Sequence, residues 1–193
     1  MRGNDIVDMA TAALESNWKR KGFLEKIFTP QEQQYIKRAA SPGEMVWKLW
    51  SMKEAAYKVY TRQFGGRFFA PLRSSCTITT ESNDSVAIGN IIYQTRTTFT
   101  EDYIYSVAKP VAAKDSFIAD HCFRIPVSAQ TKQQEFIYKE LIARYSELTG
   151  NKKNGLAIIK NEFGVPFLYC NKERSAIPIS ITHHGHYAAF TIN

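Results

Sequence analysis

The chain has 193 residues, 44% hydrophobic and 22% charged, with 25 basic against 18 acidic side chains for a formal charge of +7. That length can bury a real core in one domain or two small ones, and no low-complexity run points to disorder. No apolar stretch reaches the ~18 residues that would span a bilayer, and the N-terminus Met1-Arg2-Gly3-Asn4-Asp5 lacks the pattern of a signal peptide, so a cytoplasmic protein is expected.

The first expected element is a strand at Gly3–Val7 that carries Asp5 near its end. Asp8 is placed to cap a helix opening at Met9. Thr29-Pro30-Gln31-Glu32 is a capping box with proline at the first helical position, and it predicts a helix over Gln31–Ala39. Ser41-Pro42-Gly43-Glu44 repeats the signature and opens a longer helix that Gly65-Gly66 stops. On a 3.6-residue wheel, Met45, Leu49, Met52, Ala56 and Val59 form one apolar stripe. Trp47, Trp50, Glu54 and Lys58 fall on the opposite side. A water-facing side would not normally pair two tryptophans with a carboxylate and an ammonium, so both sides are expected to be covered, with Glu54 and Lys58 lining a cleft. The plainer alternative is a solvated i,i+4 ion pair contributing a few tenths of a kcal/mol.

Strands follow between Ser74 and Lys109, chiefly Ser85–Tyr93, after a turn at Asn83-Asp84, and Tyr103–Ala108. A second series begins with a short strand near Cys122–Ile125. A helix from Ala129 to Thr149 comes next, with Phe136, Leu141, Tyr145 and Leu148 at helical spacing and Gly150 as its stop. Strands near Leu156–Ile159, Val165–Tyr169, Ile177–Thr182 and Tyr187–Ile192 complete the chain. Helix then sheet, twice, predicts an α+β protein of two related halves, 1–115 and 116–193, joined near residues 110–120.

Cys76, Cys122 and Cys170 are widely spaced, with no C-x-x-C pair, and fit reduced thiols better than a disulfide frame or zinc site. Asp5 at a strand end, near Glu54 of a packed helix, suits a hard cation such as magnesium. Of the three histidines that follow Ser180-Ile181-Thr182, His184 and His186 read as exposed loop residues. His183, between a hydroxyl and a glycine-containing turn, suits a phosphate. The positive charge fits nucleic acid, a phosphate-rich small molecule or an acidic protein. Lys19-Arg20-Lys21 and Lys152-Lys153 are the only dense basic spots and no nucleic-acid-binding motif accompanies them, which makes nucleic acid the weakest of the three.

Together these residues resemble the 4′-phosphopantetheinyl transferase superfamily, whose signature is a Gly-x-Asp strand, a Trp-x-x-Lys-Glu-Ala-x-x-Lys helix and a Ser-x-Ser-His strand end. Gly3-Asn4-Asp5 matches the first, Trp50 through Lys58 the second, and Ser180-Ile181-Thr182-His183 the third with threonine for the second serine. Lys26 through Glu32 looks like the family's Phe-Ser/Thr-x-x-Glu element, and Gly164-Val165-Pro166 like its glycine–proline element. In surfactin-type members the Ser-His half precedes the Asp/Glu half. Here the order is exchanged, as in the shorter, trimeric holo-acyl-carrier-protein synthases.

The resemblance implies a monomeric pseudo-dimer of two similar halves with the active site in the cleft between them, a trimer being the alternative. It implies transfer of the 4′-phosphopantetheine arm of coenzyme A to a serine of an acidic apo acyl or peptidyl carrier protein, as in fatty acid biosynthesis, with release of adenosine 3′,5′-bisphosphate. Asp5 and Glu54 would hold Mg²⁺, Glu54 would take the serine proton, and Lys58 would stabilise the leaving group. Lys53 would add a phosphate contact, and Thr182 and His183 would bind the 3′-phosphate. Two positions depart from the pattern: Val7 stands where many surfactin-type members have a further acidic ligand, and Val165 replaces a common lysine. The competing expectation is a non-catalytic coenzyme A or carrier-protein binding module that retains the fold. The intact Asp5, Glu54 and Lys58 argue against it.

Overall fold

Strand β1 (Gly3–Asp8) is buried along its whole length and organises the molecule. It is the edge of a five-stranded antiparallel sheet ordered β1-β5-β4-β3-β2, with β2 at Ser74–Thr77, β3 at Ser85–Ile88, β4 at Ile91–Phe99 and β5 at Tyr103–Pro110. Between β1 and β2 come α1 (Met9–Glu15), α2 (Phe23–Ile27), α3 (Pro30–Arg38) and α4 (Pro42–Phe64). The later part contains β6 (Ala119–Arg124), α5 (Gln133–Thr149), β7 (Leu156–Lys160), β8 (Pro166–Cys170), β9 (Glu173–Arg174), β10 (Ile179–His184) and β11 (Tyr187–Ile192). Its strands form two antiparallel sheets, β10-β11-β6 and β7-β8-β9. The computed structural model describes residues 1–66, 68, 70–79, 83–112 and 118–193. This is the expected α+β class, and in each part the first strand pairs with the last, β1 with β5 and β6 with β11. The expected boundary between residues 115 and 116 lies outside the described residues.

Local chemistry accounts for most element ends. Asp8 accepts from the Thr11 backbone N–H and caps α1. Thr29 and Glu32 close a reciprocal capping box on α3. At α4 the second expected box does not form: Ser41 makes no capping hydrogen bond, and Pro42, with φ already helical and no N–H to satisfy, starts the helix alone. Gly65 ends α4 as expected.

The expected strand Ser85–Tyr93 is instead a hairpin, because Gly89-Asn90 is a turn pair and lets Ile88 and Ile91 face each other across it. Helix α5 begins at Gln133, after a 3₁₀ segment over Val127–Lys132. Its buried stripe is Ile137, Leu141 and Tyr145, whereas Leu148 is 41% exposed.

The main core joins Val46, Leu49, Met52, Ala56 and Val59 of α4 to Val7, Val86, Ile88, Tyr93, Ile104 and Ala108 of the sheet. Fully burying each aliphatic side chain contributes about 1.5–3 kcal/mol, so this stripe fixes how α4 lies on β1. The approach is close: a Cβ on Gly3 would collide with the Ala55 carbonyl oxygen and crowd the Val59 side chain. A glycine is therefore needed two residues before Asp5.

Across the other edge of β1, no backbone ladder continues into β10. The N–H groups of Asn4, Ile6 and Asp8 donate instead to Ser180 Oγ (3.3 Å), Thr182 Oγ1 (3.4 Å) and His184 Nδ1 (3.0 Å). Three alternate side chains of β10 thus satisfy the exposed edge of β1 and tie the later sheet to the earlier one.

Candidate active site

The site forms where α4 crosses β1. Strand alternation turns Asp5 toward α4, and helical spacing puts Glu54 and Lys58 on one side of that helix. Lys58 Nζ donates to Asp5 Oδ1 at 3.0 Å and to the Asn4 carbonyl at 2.8 Å. Thr182 Oγ1, arriving from β10, donates to the same Asp5 oxygen at 3.0 Å. Among the described residues, Asp5 Oδ2 accepts no hydrogen bond. Ser51 Oγ donates to the Asp5 carbonyl at 3.3 Å and holds the backbone there.

Glu54 is the electrostatically displaced member of the group. Its pKa is pushed up from 4.5 to about 7, first by burial, then by the Asp5 carboxylate, with Lys58 pulling the other way. Two carboxylates facing a partly desolvated space with one shared ammonium are short of positive charge. That donor set, with Asp5 Oδ2 open, fits a hard divalent cation, since Mg²⁺ is commonly held by one or two carboxylates plus water and substrate phosphates. Asp5 and Glu54 are the residues that would hold it. Among the described residues no cluster of three or more histidine, cysteine, aspartate or glutamate side chains forms an all-protein metal cage. Val7 lies 4% exposed in the apolar core.

Glu54 and Tyr57 lie on the wall common to two cavities. One, of about 380 Å³, is mostly apolar and bounded by Trp50, Phe68, Pro71 and Ile88. The other, of about 220 Å³, opens between the two parts of the chain. Arg2, Lys58, Thr61 and Arg62 face it from one side, and Gly164-Val165-Pro166, Ser180 and Ile181 from the other. Both sides of α4 are thus covered, as its two tryptophans suggest.

The structure gives the remaining expected residues different surroundings. Lys53 is 3% exposed, and its ammonium is 2.7 Å from Glu32 Oε2 and donates to the Ile27 and Pro71 carbonyls at 3.0 Å each. Glu32 also accepts from the backbone N–H groups of Thr29 and Cys76 at 2.7 Å. With all three ammonium donors engaged, Lys53 braces the segment beneath the apolar cavity, where the expectation was a phosphate contact.

Thr182 is engaged as well: it accepts from Ile6 N–H and donates to Asp5, so it orients a carboxylate rather than presenting a donor to a phosphate. His183, next along β10, points to the other face and is exposed. Partial burial and the nearby Lys58 and Lys160 charges lower its pKa from 6.5. The same Lys58 and Lys160 charges that disfavour a proton on the ring would attract an anion beside it. His184, expected as an exposed loop residue, belongs to β10 and accepts from Asp8 N–H, while His186 lies in the following turn with its N–H donated to Asp8.

Arg62, Thr61 and Arg2 also line the site and belong to none of the sequence motifs. A signal was available for Arg62, which follows Glu54 and Lys58 at i+8 and i+4 and so continues their side of α4.

The sequence profile of the 4′-phosphopantetheinyl transferase superfamily matches residues 2–119, more than half of the chain. The chain belongs to that superfamily. The matched segment holds Asp5, Glu54 and Lys58. No curated protein matches the chain. Solved structures with a similar chain trace include the holo-[acyl-carrier-protein] synthase of Helicobacter pylori in complex with coenzyme A, at TM-score 0.47 and 18% identity, covering 57% of this chain and 99% of that one. The Chronobacterium ammoniagenes ACPS–CoA complex gives TM-score 0.48 and 17% identity over 59% of this chain and 98% of that one. For the Thermotoga maritima holo-[acyl-carrier-protein] synthase the values are 0.46 and 10%, over 90% of this chain and 83% of that one.

Proposed function

We propose that this phosphopantetheinyl transferase superfamily member moves the 4′-phosphopantetheine arm of coenzyme A onto a serine of an apo acyl or peptidyl carrier protein, releasing adenosine 3′,5′-bisphosphate. The observation that carries this reading is Glu54, a carboxyl displaced to about 7, beside Asp5 and Lys58 on the wall between a basic and an apolar cavity. A base with that acid constant is half ionised at neutral pH, where general-base catalysis of hydroxyl attack is most effective.

In the proposed reaction Glu54 takes the serine proton, directly or through water. Lys58, fixed by Asp5 and Asn4 with its side chain 29% exposed, directs its remaining donor toward the phosphate that departs. Asp5, held by Lys58 and Thr182, keeps Oδ2 available as a ligand. A magnesium ion held by Asp5 and Glu54 would supply neutralisation of pyrophosphate charge. Arg2 and Lys58 line the cavity between the halves and favour polyanionic nucleotide there, and His183, which lines a separate hollow beside Gly185 and His186, is assigned to the 3′-phosphate. The formal charge of +7 suits an acidic carrier protein as the acceptor.

The test is incubation with coenzyme A, Mg²⁺ and an apo carrier protein, followed by mass spectrometry of the carrier. Appearance of the phosphopantetheine mass on its serine, abolished by chelator, supports the reading. Coenzyme A or carrier binding without transfer would make the protein a binding module.

A further inference from the structure

Among the described residues, Arg62 is the one α4 side chain whose hydrogen bonds cross to the later part of the chain. Its Nη2 donates to the Pro166 carbonyl at 2.7 Å and to the Ile179 carbonyl at 2.6 Å. Those carbonyls open β8 and β10, which belong to different sheets. A single nitrogen therefore holds three bodies together: α4, the β7-β8-β9 sheet and the β10-β11-β6 sheet. The Arg62 guanidinium also lies 4.8 Å from the Phe167 ring centroid, and that ring carries Arg174 at 3.7 Å. Among the described residues no carboxylate pairs with Arg62; burial, then Arg174, pulls its pKa down from 12.5 to about 10.

Both carbonyls sit at the wall of the cavity between the halves. Pro166 ends the Gly164-Val165-Pro166 segment that lines it, and Ile179 immediately precedes Ser180 and Ile181, which line it too. Ser180 and Thr182, the next inward-facing residues of β10, make the side-chain seam to β1 and the bond to Asp5. Thr61, one residue before Arg62 and 6% exposed, contributes a buried hydroxyl to the same cavity, with no hydrogen-bond partner among the described residues. A buried hydroxyl without a partner on a cavity wall is a polar atom suited to a ligand.

We infer that Arg62 is a positioning residue. By fixing where β8 and β10 begin, it sets the width of the cavity and the place of the β10 side chains relative to Asp5, and so governs affinity for the nucleotide part of the donor without taking part in the bond changes. A planar guanidinium suits this task, because two N–H groups of one nitrogen diverge in a fixed plane while the face stacks on Phe167. The link to donor affinity rests on the function proposed above.

The experiment compares wild type, Arg62→Lys and Arg62→Met by hydrogen–deuterium exchange without ligand and by steady-state kinetics with coenzyme A, Mg²⁺ and apo carrier protein. In Arg62→Met, exchange should rise in segments 166–170 and 179–184 while α4 upstream of residue 58 stays protected. KM for coenzyme A should rise about ten-fold or more with kcat within about three-fold, and Arg62→Lys should fall between. A merely structural loss would instead raise exchange throughout and lower the active fraction, seen as kcat, at constant KM; either that result or unchanged local exchange overturns the inference. If wild type neither binds coenzyme A nor modifies a carrier, the functional reading fails and the exchange pattern alone decides whether Arg62 is the clamp.

Discussion

Two long helices of this protein are embedded very differently. Ten of the 23 residues of α4 are buried and they lie on both of its sides; three of the 17 in α5 are buried, and they lie on one. The buried set of α4 includes Ser51, Lys53 and Thr61, each polar, whereas that of α5 is Ile137, Leu141 and Tyr145. A helix covered on one side can satisfy its polar residues with water. A helix covered on both must give each polar residue a partner or face a ligand, and this is where specific chemistry is built. The difference puts Glu54 and Lys58 on the doubly covered helix of the earlier part and leaves the later part to supply cavity walls and the side-chain seam to β1.

The sharpest break of this comparison is Glu54→Gln. Transfer should fall about 10²–10⁴-fold, the usual contribution of a general base, measured as kcat on coenzyme A and carrier. The fold should respond in the opposite direction. Because the Glu54 pKa is raised from 4.5 to about 7, the folded state favours the protonated carboxyl, and that advantage is lost as pH rises from 4.5 through 7. Above pH 7 the glutamine variant should therefore be more stable than wild type by about 1–2 kcal/mol in denaturant unfolding. Full activity, or a less stable variant at pH 8, would remove Glu54 from this role.

Lys53→Met tests a neighbouring side chain of the same helix that the structure assigns to support. It leaves Glu32, fully buried, without its ammonium, and should cost about 3–5 kcal/mol in unfolding free energy. The fraction that remains folded should keep the wild-type KM for coenzyme A; a raised KM at unchanged stability would return Lys53 to the phosphates.

In α5, Leu141→Ala should cost about 2–5 kcal/mol for a fully buried leucine, with catalytic constants per folded molecule unchanged. A selective loss of kcat would mean that α5 shapes the site.

The smallest expected effect separates two adjacent residues of β10. His183→Ala should reduce discrimination between coenzyme A and dephospho-coenzyme A about ten-fold, the loss of one charge-assisted hydrogen bond. Thr182→Val, whose hydroxyl bonds Asp5, should weaken turnover with both donors alike. Equal losses for both donors in His183→Ala would assign that ring elsewhere.

Much of this was legible in the chain itself. Helix α4, its ends at Pro42 and Gly65, and its coverage on both sides follow from proline and glycine chemistry and from tryptophans beside charges. Asp8 as a cap and Thr29 with Glu32 as a capping box follow from contacts three residues apart, which sequence spacing encodes directly. Asp5, Glu54 and Lys58 were named from a strand end and an i,i+4 pair, and the fold brings them together. The break of Ser85–Tyr93 at Gly89-Asn90 is also encoded locally, by a turn pair between two runs of β-formers.

What tertiary structure alone decided is the use of each polar side chain by a distant partner. Lys53 and Lys58 differ little in sequence context, yet one ammonium is closed off by Glu32, Ile27 and Pro71 and the other faces a cavity. Thr182 looks like a phosphate ligand by motif, but β10 sets it, with Ser180, against the open edge of β1, where backbone N–H groups must be satisfied. Arg62 gained its role from carbonyls 104 and 117 residues away. Spacing along a chain fixes which residues share a face; only the packing of separate elements decides what that face meets, because desolvation and partner geometry are properties of the assembled interior.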